Sequence, residues 1–317
     1  MRLTTNYGRE GTTSVVPESA DLKHSRGGFS PRVWRHRLRT LGLANWLRLA
    51  LVIAAGTAML VSLSVPVHAQ EVLAPDASAA KAKQLIQQAI QALGDQAYLG
   101  VHDAYCEGRL AQFSSQGELS GYERFYDFWL LPDKNRTEYS KKRNIIETYN
   151  GDQGWVLDKA GVEVASADSV DSFKENLYRS ADYLFRFRMD EPGLNFRYAG
   201  SDIVDLKRVD WVEVSDRERR TLRIALDQKT HLPRRVVSTV RDRATRQRLE
   251  EAEYYSNWFN LQGVMTPKQV TREHSGRTVY QVFYDTCKYN TGQQESFFTR
   301  EALEQRWAEL SKGKKKK

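Results

Sequence analysis

Beyond its first 69 residues, this 317-residue chain holds only three histidines, His102, His231 and His274, and two cysteines, Cys106 and Cys287. Each histidine stands alone in the sequence, with no His-x-His pair and no HExxH, so the common zinc-enzyme spacings are missing. The nearest approach to a G-x-S-x-G elbow, Gly117-Glu118-Leu119-Ser120-Gly121, carries its serine one position off. Neither a P-loop nor a dinucleotide-binding glycine fingerprint occurs. These gaps argue against catalysis by any local motif, and the expectation is a protein with no catalytic residue, no metal and no cofactor. A site assembled from dispersed residues is the enzymatic route left open. Linkers rich in Pro, Ser or Gly are also lacking between Tyr98 and Thr299, which predicts one domain.

What is present begins with an export pattern. Arg32, Arg35, Arg37, Arg39 and Arg48 precede an apolar run from Leu49 to Val65, followed by Pro66 and the small-residue site Val67-His68-Ala69. Basic, apolar and small segments in that order describe a secretory signal. Cleavage after Ala69 is expected, giving a leader over 1–69, a domain over 70–311 and a lysine-rich tail over 312–317, with the mature protein in the periplasm. A signal-anchor is the competing reading, because 17 apolar or small residues just reach across a thin bilayer. Gly56, Thr57, Ser62 and Ser64 weaken that alternative.

The net charge of +8 is an end effect. The leader carries nine basic and three acidic side chains, leaving 39 against 37 in the remainder, and Lys312, Lys314, Lys315, Lys316 and Lys317 supply five of the 39. The body is therefore slightly acidic, which argues against a nucleic-acid partner. The tail reads either as a solvated end or as a tether to an anionic membrane surface, where each lysine adds roughly 1 kcal/mol. A monomer is expected.

Hydrophobic periodicity changes along the chain. Ala82, Leu85, Ile86, Ala89, Ile90 and Leu93 fall at helical spacing over Ser78 to Leu93, with Asp76 or Ser78 as cap and Gly94 as stop. Long runs rich in β-branched and aromatic residues follow over Tyr98 to Phe113, Glu118 to Leu131 and Arg136 to Tyr149. A short hairpin over Gly154 to Ala165 comes next. Val170, Phe173, Leu177, Ala181, Leu184 and Phe185 then return to helical spacing within an inserted helix over Asp168 to Arg188. Further strands are predicted from Leu194 to Tyr289, and Thr299 to Leu310 closes the chain as a helix. The expectation is about ten strands and three helices.

Alternation within the strands is imperfect. Over Glu118 to Leu131, Tyr122, Tyr126, Phe128 and Leu130 share one face while Leu119, Phe125, Trp129 and Leu131 share the other. A sheet with one wet face alternates cleanly. Either the sheet curls around a lining, or each face is covered by different elements. A lining would draw on Tyr122, Tyr126, Phe128 and Leu130, then Tyr139, then Trp211, Leu222, Ile224 and Leu226. The inserted helix would add Phe173, Leu177, Leu184 and Phe185. Cys106 lies in the first predicted strand and Cys287 in the last. They are either two separate buried thiols or a disulfide closing a loop of about 180 residues, worth at most about 5 kcal/mol in the chain-entropy model.

The order of short motifs adds a resemblance. Tyr149-Asn150-Gly151-Asp152-Gln153-Gly154-Trp155-Val156-Leu157 precedes the inserted helix. Leu222 to Asp227 runs into Lys229-Thr230-His231-Leu232-Pro233, and Tyr255-Ser256-Asn257-Trp258 into Gly263-Val264-Met265-Thr266-Pro267. This order, over Ala79 to Phe298, resembles the outer-membrane lipoprotein-sorting carriers of the LolA/LolB-like superfamily. The resemblance implies a mainly β fold: a single curved antiparallel sheet forming an incomplete barrel, with helices covering the concave face. It also implies a periplasmic carrier that holds acyl chains of lipoproteins or free lipids and moves them toward the outer membrane. The rival expectation is a non-catalytic interaction or scaffold domain of the envelope, with its concavity filled by its own side chains.

Overall fold

The computed structural model describes residues 73–241 and 247–314. The signal sequence, its cleavage site and the last three lysines lie outside the described residues. The first arm of the sheet comprises β1 (Asp103–Phe113), β2 (Leu119–Leu130), β3 (Lys134–Tyr139), β4 (Ile145–Asn150), β5 (Gln153–Leu157) and β6 (Val162–Val164). The second comprises β7 (Asn195–Val204), β8 (Lys207–Ser215), β9 (Thr221–Asp227), β10 (Pro233–Arg241), β11 (Arg248–Leu261), β12 (Val264–His274) and β13 (Arg277–Tyr289). All thirteen form one sheet in the order β6-β5-β4-β3-β2-β1-β13-β12-β11-β10-β9-β8-β7. Every neighbouring pair is antiparallel, so each arm is a meander and the two meet at β1 and β13. The sheet does not close, and β6 and β7 are its two edges.

That topology dictates where the inserted segment must go. Successive strands β6 and β7 sit at opposite edges, so the chain between them has to cross the whole sheet. It does so as α3 (Ala167–Tyr178) and α4 (Ala181–Tyr183), the latter continuing into a wider π-type turn over Leu184–Arg188. A single helix from Asp168 to Arg188 was expected. The break falls at Ser180, whose Oγ accepts from Tyr183 N at 3.4 Å and restarts the helix after the Arg179 cap. The N-terminal cap is Ser166, accepting from Ser169 N at 3.1 Å.

Two earlier helices complete the cover: α1 (Pro75–Leu93) and the single turn α2 (Gln96–Leu99). The predicted apolar stripe of α1 is buried throughout. Ser78 is not its cap; its Oγ instead accepts from Tyr198 N on β7 at 3.0 Å. At the other end Gly94, with φ of 129°, lies so close to Gly263 between β11 and β12 that a Cβ would stand 2.3 Å from its carbonyl oxygen. The sixteen residues from Ser78, bonded to β7, to Leu93, beside the β11–β12 turn, span about 24 Å. Four to five strand spacings amount to about 19–24 Å, so α1 lies across the strands rather than along them.

Burial follows strand parity. On one face, Phe125 and Trp129 of β2, Tyr149 of β4, Val212 of β8, Ile224 of β9 and Val282 of β13 join the helices in one core. Tyr149 stacks on Phe173 of α3 with ring centroids 4.6 Å apart and planes 9° apart. The opposite face carries two smaller cores. Val209, Trp211, Ala225, Val237 and Ala252 form one. Ile146 and Leu157 form the other beneath Leu303 of α5 (Arg300–Lys314). The C-terminal helix therefore packs on the side away from the other helices, and it runs on through Lys312 into the region expected to be tail. The run Arg136 to Tyr149, expected as one strand, is the β3–β4 hairpin. Its turn has positive φ at Ser140 (70°) and Arg143 (50°), within a polar stretch that offers no apolar residue to either face.

Cys106 and Cys287 face each other directly across the β1–β13 pair and are bonded, with Cα atoms 4.1 Å apart. The bond ties together the two arms at the only strand pair that joins them.

Candidate functional site

The helix-covered face is not filled everywhere. Beneath α4 a void of about 800 Å³, including its open mouth, contains about 90 Å³ that can take the centre of a water molecule. Its floor is the junction of the arms: Ala104 and Cys106 from β1, with Tyr284, Cys287 and Tyr289 from β13. The wall is Tyr255 and Trp258 of β11 with Val264, Met265 and Pro267 of β12. Leu93, Tyr98 and Val101 close one side, and Ala181, Asp182, Phe185 and Arg186 form the roof.

The charged groups in this apolar site are paired with one another. Arg186 Nε donates to both carboxylate oxygens of Asp182 at 3.0 Å, and Tyr98 Oη donates to Asp182 Oδ1 at 2.7 Å. The Arg186 guanidinium also lies 3.8 Å from the Tyr98 ring centroid and donates to the Tyr98 carbonyl. Burial alone pushes the Asp182 carboxyl up, but the Arg186 charge and the Tyr98 hydroxyl outweigh it and hold the group below the usual carboxylate range. Tyr98 moves the other way, pushed up first by burial and then by the Asp182 charge. A further polar contact joins Thr266 Oγ1 and Tyr289 Oη, at 2.6 Å.

Of the lining residues expected from sequence, Phe185 borders this void. Tyr139, Phe173, Leu184, Leu222, Ile224 and Leu226 lie in the same core away from it, with Leu177 packed at its margin. Tyr122, Tyr126, Phe128 and Leu130 belong to the other parity of β2 and point to the opposite face. Tyr122 is 57% exposed there, and Phe128 packs against Phe297 with centroids 5.0 Å apart. Trp211 also sits on that face, under the Arg223 guanidinium at 4.7 Å. The reason is that both faces are covered, so an apolar residue does not announce which face it serves. The lining residues that sequence missed, Ala104, Tyr289 and Trp258 among them, had one readable signal. If Cys106 and Cys287 are bonded, the residues two positions away, Ala104 and Tyr289, must share their face.

Sequence reading also missed a row of buried polar groups under α3. Asp127, Thr137 and Glu147 oppose one another across β2, β3 and β4. Asp127 accepts from Trp129 Nε1 at 2.7 Å, Asn135 Nδ2 at 2.8 Å and Thr137 Oγ1 at 2.8 Å, yet burial pushes it up to about 6. Burial, with the nearby Glu123 charge, pushes Glu147 up to about 8, and its Oε2 has no partner. Of the three histidines, His274 meets a carboxylate, its Nε2 lying 2.7 Å from Glu251 Oε1. Among the described residues, no group of three or more His, Cys, Asp or Glu is arranged to hold a metal ion.

An open antiparallel half-barrel with a roofed apolar concavity defines the class. No protein-family model and no curated protein matches the sequence. Among solved structures, a DUF1329 family protein from Desulfovibrio piger is 15% identical, covering 70% of this chain and 98% of that one at a TM-score of 0.51. A LolA superfamily protein from Nitrosomonas europaea is 13% identical over 70% of this chain and 99% of that one, at a TM-score of 0.48. A putative outer membrane lipoprotein-sorting protein domain from Vibrio parahaemolyticus is 14% identical over 71% and 99%, at 0.47. At these identities the likeness is one of fold.

Proposed function

We propose that the protein is an exported carrier that shelters the acyl chains of a lipoprotein or free lipid in the roofed cavity, making and breaking no covalent bond. The observation that carries this reading is the void itself. Thirteen strands and four helical segments bring enough apolar surface together to fill a core, yet they leave a lined space at the arm junction. Withdrawing an acyl chain from water is favourable by roughly 0.8 kcal/mol per CH₂, which is the free energy a carrier must supply. The scaffold alternative requires a filled concavity and gains no support from this void. Export is supported by the Cys106–Cys287 bond, since disulfides persist in oxidising compartments. N-terminal sequencing of the secreted protein is expected to begin at Gln70, and retention of Leu49 to Val65 would contradict a soluble carrier.

The test is native mass spectrometry for co-purified lipid, followed by binding of uncharged acyl-ester probes of two chain lengths at low and high salt. Affinity is expected to rise with chain length and to ignore salt, because burial scales with apolar area while screening acts on exposed charge. Ala181→Phe, which fills the cavity from the roof, is expected to abolish binding in a folded protein. Binding that ignores chain length, or survives that substitution, contradicts the reading.

A further inference from the structure

The cavity opens onto a second space of different character. Trp258 and Met265 line both the apolar void and an open cleft, of about 1190 Å³ including its open mouth, bounded by the β7–β8 and β9–β10 turns. Lys207, Arg208, Lys229 and Arg234 line that cleft, against a single lining acid, Asp227. Asp227 does little to neutralise them. Its Oδ1 accepts from the backbone N–H groups of Lys229 and Thr230 at 2.9 and 3.0 Å, and Arg234 Nη1 is 3.9 Å from its Oδ2. Lys207, Arg208 and Lys229 form no ion pair among the described residues, and the side chains of Lys207, Arg208 and Lys229 are exposed. Two further donors on the lining residues, Trp258 Nε1 and Arg234 Nε, are buried with no acceptor. Unmatched donors are costly in a folded protein, and four cations around one tied carboxylate set up a positive potential that a low-dielectric wall focuses.

We infer that this cleft is a head-group site for a phosphate-bearing lipid whose acyl chain occupies the adjoining cavity. The inference rests on the carrier reading and narrows its cargo to anionic lipid. The two halves of such a molecule differ as the two spaces do. Chain burial supplies affinity in the void, and charge-assisted hydrogen bonds from Arg208, Lys229 and Arg234 to phosphate oxygens supply selectivity at its mouth. Trp258 lines both spaces and so stands at the boundary between chain and head group.

The experiment compares short-chain monomeric phosphatidylglycerol with phosphatidylcholine of the same chain length, by calorimetry, on the wild-type protein, on Arg208→Ala/Lys229→Ala, and on the charge-preserving Arg208→Lys/Lys229→Arg. The wild type is expected to prefer phosphatidylglycerol, and the alanine pair to lose about tenfold in its affinity while phosphatidylcholine binding is unchanged. The charge-preserving pair is expected to keep most of the preference. Glycerol phosphate, tested alone, is expected to compete only at far higher concentration than the lipid. Equal binding of both lipids by the wild type, or equal loss for both in the alanine pair, overturns the head-group site and leaves the cavity standing. Glycerol phosphate binding as tightly as the lipid marks a soluble-phosphate site uncoupled from the cavity and overturns it as well. Failure of the wild type to bind either lipid overturns the carrier reading and this inference together.

Discussion

Replacing Glu147 should change how stability depends on pH, and the direction is opposite to that of an ordinary acid. Glu147 sits mid-strand on β4 between Thr137 and Val156, 8% exposed, with Oε2 unpartnered and its carboxyl pushed from 4.5 to about 8 by burial and by Glu123. A carboxyl raised in the folded state binds its proton there after the unfolded chain has released it. Stability is therefore highest below the unfolded value and falls as pH climbs through the window from 4.5 toward 8. Linkage over that window gives a loss of about 4 kcal/mol by pH 8, of which about 2 kcal/mol falls between pH 6 and pH 8. Urea unfolding with the disulfide intact, at pH 5, 6 and 8, is the assay. Wild type is expected to lose stability across the last interval, whereas Glu147→Gln and Glu147→Met should both be nearly flat there. Glu147→Met should also be the more stable at pH 8, since it removes the orphaned polar atom as well as the charge. The slope, not the absolute stability, is the readout, because packing differences between the variants do not titrate. A wild-type slope that persists in both variants would assign the titration to another group and refute the reasoning.

Cys106→Ala/Cys287→Ala should cost up to about 5 kcal/mol, as expected for opening so long a loop, with the loss read as a lower urea midpoint at an unchanged cavity-binding stoichiometry. Phe173→Ala should cost about 3–5 kcal/mol, because the ring is fully buried between Tyr149 and Trp129 and no neighbour can collapse into its place. A loss below 1 kcal/mol would mean that α3 is held by something other than this stack. Arg186→Met should destabilise by about 1–3 kcal/mol by leaving the half-buried Asp182 without its partner, and Asp182→Asn/Arg186→Met should recover much of that loss. If the double variant is no better than the single one, the pair does not carry the energy assigned to it.

The elements were largely legible in the sequence, whereas the faces were not. The stripe from Ala82 to Leu93 and the strands Thr221 to Asp227 and Arg277 to Tyr289 appear where local spacing puts them, because periodicity and turn chemistry act over a few residues. The inserted segment kept its helical spacing across Ser180, where a side-chain oxygen competing for the backbone interrupts the helix without disturbing the apolar register. Parity in β2 was the costly ambiguity. Phe125 and Trp129 go inward and Phe128 outward because Phe297 and α5 arrive from some 170 residues away to bury the second face. No window of local sequence contains that information. The carboxylates at Asp127 and Glu147 were invisible for the same reason: they are buried on the face that Trp129 and Tyr149 share with the core, which no local window reveals.

That edge-to-edge crossing also explains why a void occurs where it does. An open sheet of thirteen strands whose successive edge strands lie farthest apart must send one connection over its whole inner face. Where the connection is a regular helix, as in α3, its stripe meets the strands, with Phe173 stacked on Tyr149. Past Ser180 the segment becomes a single helical turn and a wider π-type turn, so the regular apolar stripe of α3 does not continue over the sheet. The floor beneath sets Ala104 and the two half-cystines, small groups that do not rise to meet it, beside Tyr284 and Tyr289. The cavity is thus the place where a short, irregular roof passes over small side chains at the junction of the two arms. Filling it needs one large residue, and the chain has placed Ala181 there instead.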